Sequence, residues 1–373
     1  MSKKLYISVN LSKNNYGGSV VGRTNFRLFK EIFGDEACAI AVNRNPLEGV
    51  ISVRTSTNRV GTAIANIFGI CATLTRQGAL EIIDFVRKER PSIIWLDTSL
   101  LGHLIPQLRI ESPGVKIICF FHNLEEDMIL EKIRKGQWVY YIALLATRTN
   151  ERMSAKLADI VVTIQKTDAE KLLARHGRKS EFTLPVCIPD TYSQVMPSNP
   201  YPGVRYVLFV GSDFPPNVEA LQYLSREVSP SLKKTIVIAV GNGLEKYVPT
   251  LSHDKMIIKG YVEDLDAIYY HAIAVVTPIF SGGGMKVKVA EALMQRKYVV
   301  GSRFSFIGYQ SAVDFGVCIV ANSVHDYVAS IESSYPSSGL NLLTQEVFTQ
   351  EYSLNAGAAR MEKIIDSVKT NLS

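Results

Sequence analysis

Long apolar runs are missing from this 373-residue chain. The most apolar stretch of its middle, residues 138–146, is far shorter than the about 20 residues that cross a bilayer. At the start, Lys3 and Lys4 precede only five residues of mostly apolar strand, too few for the core of a secretion signal. The five cysteines, Cys38, Cys71, Cys119, Cys187 and Cys318, show no CxxC and no metal-ligand spacing. They read as small buried hydrophobes in a reducing compartment, so a cytoplasmic location is the expectation. Low-complexity tracts and solenoid repeats are absent as well. So are several catalytic signatures. The lack of GxxxxGK[ST] excludes a P-loop ATPase, and the lack of GxGxxG after the first strand argues against a dinucleotide oxidoreductase. Neither a GxSxG elbow nor HExxH is present. No Asp-x-Asp stands in a turn after a strand, because Asp264-Leu265-Asp266 opens a helical stretch. Neither a bound metal nor a cofactor is therefore expected.

Charge is present but uneven. The net charge is +6, with +7 on residues 1–200 and −1 on the rest. A basic half suits an acidic partner, such as membrane phospholipid or a diphosphate-lipid acceptor, although a plain solvated surface has the same composition. Nucleic acid is not expected, since no helix-turn-helix, zinc or RNA-recognition signature accompanies the charge.

The length exceeds a single core, so two domains are expected. Short apolar runs at 5–9, 37–42, 92–96, 115–121, 160–164 and 182–186 predict strands. Helical stretches are predicted at 20–33, 78–90, 124–134, 138–157 and 168–176. Four prolines between Pro189 and Pro202 mark a linker, and the alternation then restarts. Strands are predicted at 206–210, 235–240, 255–258, 273–277, 298–301 and 317–320, among helices at 216–228, 262–271, 285–295 and 324–333. Near-continuous apolar strands separated by helices imply an α/β protein with two doubly wound, Rossmann-like domains, 1–196 and 203–351. A closing helix within 352–373 is expected to pack back on the first. In such sheets ligands bind beyond the carboxyl ends of strands, so the two domains should face a cleft. The turns that matter are then 10–18, 122–123, 211–217, 241–243, 260–264 and 280–284.

The most telling turn is Ser281-Gly282-Gly283-Gly284-Met285-Lys286-Val287-Lys288, which joins a buried strand to a helix. Glycine lets backbone approach a ligand, and first-turn N–H groups of a helix lack internal partners, so this is an anion site. Lys286 and Lys288 add charge, and Glu291, about two helical turns beyond Gly284, suits hydroxyls. Donors near phosphates and a carboxylate near hydroxyls describe a nucleotide-sugar site. The plainer alternative is a packing turn. Gly17 and Gly18 follow the first strand and precede a helix starting near Val20, either to touch phosphates or acceptor or to tighten the turn. His122 directly follows an apolar strand. Glu125-Glu126-Asp127 in a first helical turn reads as dipole complementation, not a metal site. Residues 138–145, between Arg134-Lys135 and Arg148, suit peripheral contact with an anionic leaflet. Apolar residues at nearly every position there favour instead a helix buried in the first domain's core.

In its second half the chain resembles the donor domain of the group 1 (family four) retaining glycosyltransferases of the GT-B fold. The likeness rests on Phe209-Val210-Gly211-Ser212, Pro216-Asn217-Val218-Glu219, Val240-Gly241-Asn242-Gly243, Gly260-Tyr261-Val262 and the run 278–293 in that order. Weaker markers in the first half are Gly17-Gly18, Phe121-His122-Asn123 and Ala158-Asp159-Ile160. The resemblance implies transfer of a sugar from a nucleoside-diphosphate sugar to a glycan, lipid-linked or protein acceptor, without metal and with retained configuration. It implies His122 at the transferred sugar, Lys288 at the diphosphate and Glu291 at the ribose. Gly211, Asn242, Gly243 and Val262 would border the nucleotide, and Gly283, Gly284, Met285 and Lys286 the phosphates. Two departures stand out. The family's Glu-x7-Glu pair is Gly283 and Glu291 here, and no cation follows the first donor-domain strand in 211–216. A GT-B partner subunit without catalysis and a nucleotide-sugar epimerase are the alternatives.

Overall fold

The computed structural model describes residues 2–13, 16–333 and 341–369. They form two compact units, Met1–Val186 with Gly357–Ser373, and Cys187–Ala356. The first holds strands β1 (Lys4–Ser8), β2 (Ala37–Ala41), β3 (Ile51–Ser52), β4 (Ile93–Leu96), β5 (Lys116–Phe121), β6 (Ile160–Thr163) and β7 (Phe182–Thr183). They make one sheet in the order β3-β2-β1-β4-β5-β6-β7, all parallel. The second holds β8 (Tyr206–Val210), β9 (Ile236–Val240), β10 (Met256–Lys259), β11 (Val275–Thr277), β12 (Val299–Gly301) and β13 (Cys318–Val320). Their order is β10-β9-β8-β11-β12-β13, again parallel. Each unit is Rossmann-like, as the strand–helix alternation implies.

Both faces of each sheet are covered, which is why the strands read as unbroken apolar runs. On one face of the first sheet Ile94, Ile117, Phe121 and Leu5 join a core with Ile82 and Leu104. The other face carries Tyr6, Trp95 and Phe120, whose rings stack at 6.2 Å, with Phe29 packed edge-on. In the second unit Phe209, Val237 and Val276 meet Leu221, Leu224 and Tyr327.

Four expectations need correction. The first helix begins at Gly17, with Tyr16 at the N-cap position, so Gly17 and Gly18 lie in its first turn and not ahead of it. Asn14 and Asn15, inside the expected 10–18 turn, lie outside the described residues. The proline-rich stretch after Cys187 is no free linker. It belongs to the second unit, where Arg296 binds Asp190 at 2.8 Å and stacks on Tyr192, and His271 donates to the Pro197 carbonyl at 2.9 Å. The helix Tyr141–Leu157 and the Trp138–Tyr140 turn before it were expected in the core, yet Trp138, Val139, Tyr141, Ile142 and Leu145 are exposed. Finally, the helix Arg59–Ile67 was not foreseen at all. Of the closing stretch, residues 370–373 lie outside the described residues, and Leu354–Lys369 is helical. No helix among the described residues is long and apolar enough to cross a membrane.

Candidate functional site

In the second unit the turns after β8, β9, β10 and β11 share one edge of the sheet and are knitted together. Gly211 and Gly241 touch so closely that a Cβ on Gly241 would collide with the Gly211 carbonyl, which explains glycine there. The Asp213 N–H donates to the Asn242 carbonyl at 2.9 Å, and the Gly241 N–H to the Gly260 carbonyl at 3.2 Å. Gly243 packs on the Asp213 side chain. Val262 lines a cavity of about 500 Å³ with Lys259, Asp264, Tyr201 and Pro200. Ser281 Oγ donates to Glu219 Oε2 at 3.0 Å, tying the glycine-rich turn to the helix Pro215–Tyr223. Gly282 and Gly284 take φ of 98° and 65°, a conformation that disfavours a side chain.

The helix after that turn is Val287–Met294, not 285–295. Met285 and Lys286 therefore precede it. Lys286 is its N-cap residue and makes no side-chain cap bond, while the Val289 N–H donates to the Lys286 carbonyl at 2.9 Å. The Lys286 amine curls back onto the Gly284 carbonyl at 2.7 Å and the Gly283 carbonyl at 3.2 Å. It thus staples the turn. Lys288 is differently placed: its Nζ donates to Asn217 Oδ1 at 2.7 Å and lies over the Phe209 ring. Burial pushes the Lys288 amine down to about 7, with Glu291 pulling the other way. Glu291, three residues on and hence on the same helical face, is pushed up by burial and held down by Lys288. Asn217 also donates to the Ser212 carbonyl at 3.0 Å, so it fixes Lys288 to the β8 turn. Asn217 is not among the site residues expected from the sequence, although it stands in the run that carries the family resemblance. Its signal was an amide in the first turn of a helix right after a strand.

In the first unit the carboxyl ends of β1, β4 and β5 meet. His122 Nε2 lies 3.0 Å from Asp97 Oδ2, and Ser8 Oγ donates to the same oxygen at 2.8 Å. Both Asp97 and His122 are buried. Burial works against a charged imidazole here, but Asp97 outweighs it and holds His122 above its ordinary value. A Cβ on Gly22 would stand 2.8 Å from Asn10 Cβ and 3.2 Å from Asp97 Oδ2, so the first helix also borders this group. Gly18 approaches Asn10 in the same way. Neither Asp97 nor Gly22 was singled out from sequence, although Asp97 follows a buried strand just as His122 does.

Among the described residues, Glu126, Glu151 and His176 could bring three ligand atoms within 4.8 Å of one another. Part of the set is engaged within the protein. Glu126 takes two bonds from Arg148, the shorter at 2.6 Å, and has Arg175 at 3.7 Å; Glu151 accepts the N–H groups of Glu125 and Glu126. The set locks three helices together.

The fold is that of GT-B glycosyltransferase structures, with two Rossmann-like units. Residues 204–335 match the family described as glycosyl transferases group 1, a stretch running from before β8 to beyond β13. No curated protein sequence matches. HepE of Anabaena, solved with UDP and glucose, is similar at a TM-score of 0.66 and 12% identity, over 98% of this chain and 100% of that one. A glycosyltransferase from Rickettsia africae ESF-5 gives 0.65 and 12%, over 99% of each chain. The N-terminal domain of Candida albicans trehalose-6-phosphate phosphatase gives 0.63 and 14%, over 98% and 97%. At such identities the likeness is one of fold, and function has to be argued from the site.

Proposed function

We propose that this chain is a metal-independent, retaining glycosyltransferase that uses a nucleoside-diphosphate sugar. The observation that carries the reading is the glycine-rich turn with Lys288 and Glu291 on one face of the helix that follows. Lys288 and the start of the helix Val287–Met294 would meet the charge that grows on the leaving diphosphate, which is electrostatic preorganisation. Glu291 would accept the ribose hydroxyls. His122, set by Asp97, would contact the transferred sugar. The acceptor hydroxyl attacks the anomeric carbon as its bond to the diphosphate oxygen breaks, and that oxygen takes the acceptor proton, so no protein base is required. A cytoplasmic setting follows from such donors. UDP in the Anabaena relative makes UDP-glucose the first donor to try.

The test is a panel of nucleotide sugars incubated with purified protein and no acceptor. Slow release of free sugar is expected. An epimerised donor would mean an isomerase, and unchanged donor without binding a degenerate subunit. Glu291→Ala should weaken nucleoside-diphosphate binding by on the order of 1.5–3 kcal/mol, read by calorimetry with UDP and GDP. Unchanged affinity would remove Glu291 from the site. Hydrolysis and transfer should also survive excess EDTA. Activity lost in chelator and restored by magnesium or manganese would refute the lysine-centred account of the leaving group.

A further inference from the structure

The helix Arg59–Ile67 wears its apolar stripe outward. Val60, Ile64, Ile67 and the following Phe68 are all exposed, Phe68 at 76%, while Ala65 turns inward. A second outward stripe runs through Trp138, Tyr141, Ile142 and Leu145, with Trp138 at 67% and Leu145 at 66% exposure. Trp138 and Tyr141 stack at 5.9 Å. The two stripes are neighbours: Asn150 of the Tyr141–Leu157 helix donates to the Gly69 carbonyl at 2.8 Å and to Cys71 Sγ at 3.3 Å, just past the end of the shorter helix. Two adjacent helices that both present large side chains to water form a surface built for contact.

Charge says with what. Exposed Lys132, Arg134 and Lys135 surround the tip, and Lys132 Nζ lies 4.7 Å from the Tyr140 ring. Further along the outward stripe the apolar residues give way to exposed Arg148, Arg152 and Lys156. Arg148 is bound to Glu126 and Lys135 to Glu131. An aromatic and aliphatic tip ringed by cations fits an anionic bilayer surface, with rings at the headgroup level and lysine and arginine on phosphates.

Position gives the surface a purpose. The Tyr141–Leu157 helix enters β6 after two residues, so it runs antiparallel to the strands and its start points to the carboxyl edge. At 1.5 Å per residue, Tyr141 stands about 24 Å from Leu157, against about 13 Å for a four-residue strand. The tip thus projects past the edge where His122 and Asp97 sit.

We propose that this two-helix face docks on an anionic lipid leaflet, and that the acceptor is a lipid-linked one drawn from it. The acceptor clause rests on the glycosyl-transfer reading; the docking does not. The chain carries its own reporter, because its two tryptophans are Trp95, fully buried, and Trp138, exposed. Vesicles of phosphatidylcholine alone and of phosphatidylcholine with 30% phosphatidylglycerol (about 7:3) would be mixed with wild type, Leu145→Glu, Ile64→Glu and Trp138→Phe, at low and physiological salt. The expected result is co-sedimentation with the anionic vesicles that weakens with salt, together with a blue shift of Trp138 emission that Trp138→Phe abolishes. Either glutamate variant should bind vesicles at least about tenfold more weakly, with an unchanged melting temperature, since both positions are exposed. Binding that is absent from every vesicle, or untouched in both glutamate variants, would overturn the proposal. So would a wild-type dimer that Leu145→Glu converts to monomer, which would assign the face to a second copy. Calorimetry with UDP and GDP on the same preparations separates the two readings: nucleotide binding without vesicle binding leaves the donor site standing, and the converse leaves the docking face.

Discussion

Lys288→Met should lower turnover by roughly 100- to 1000-fold, the loss typical when one donor to a developing negative charge is removed. The reason is geometric. Lys286, the other cation of the motif, is drawn onto the carbonyls of Gly283 and Gly284, whereas Lys288 is held by one neutral amide, Asn217. The Asn217 oxygen orients the ammonium, and the Glu291 carboxylate favours its charged form. Because burial brings Lys288 to about 7, its charge in the empty protein fades as pH rises through that value. UDP and GDP affinity should therefore fall between pH 6 and pH 8.5 in wild type and stay flat in the variant. The stability sign is opposite. An amine depressed by folding costs stability wherever it is charged in both states. That cost is whole below pH 7 and shrinks as pH climbs toward the ordinary lysine value of 10.5. The variant, free of that cost, should melt no lower than wild type at pH 6, which separates a lost function from a lost fold. Undiminished turnover, or an unaltered pH dependence of nucleotide affinity, would take Lys288 out of the site.

The strand pattern was readable because parallel strands are apolar on both faces, and β5 and β8 were placed to within a residue. What escaped was short or solvated. Strand β3 is two exposed residues, and β7 keeps only Phe182–Thr183 of the run 182–186. The outward helix Arg59–Ile67 escaped, and the stretch 138–145 was favoured as core over leaflet contact, for a different reason. Sequence patterning assigns apolar residues to the interior, and nothing in the order of residues says that a stripe points to water. The turns of the candidate site were visible as glycines after strands, down to Gly211, Gly241 and Gly284. The groups that orient its side chains were not, because they arrive from far along the chain. Asn217 lies 71 residues from Lys288, and Ser8 lies 89 from Asp97. Only the sheet order, which sets β1 beside β4 and β4 beside β5, brings Ser8, Asp97 and His122 to one edge.

That convergence makes Asp97 the residue through which His122 is positioned. Asp97→Asn keeps an oxygen for Ser8 Oγ but loses the charge opposite His122 Nε2. Burial is then opposed by Glu125 alone, and the imidazole should drop below the raised value it has now. A charge-assisted contact of this kind is worth about 1.5–3 kcal/mol, so turnover should fall by roughly 10- to 150-fold. UDP and GDP affinity should be unchanged, since their proposed contacts lie in the other unit. The discriminating readout is pH. In wild type the His122 limb of the rate profile lies above the ordinary histidine value of 6.5, and in Asp97→Asn it should move to lower pH. Linkage gives a second check. A histidine raised by folding contributes stability that is fully present below 6.5 and lost as pH rises through the folded value. Wild type should therefore lose stability across that window while the variant, already without the contribution, shows a flatter profile. A variant that turns over within twofold of wild type, with the limb unmoved, would show that His122 needs no partner and that the buried carboxylate serves only to bind Ser8.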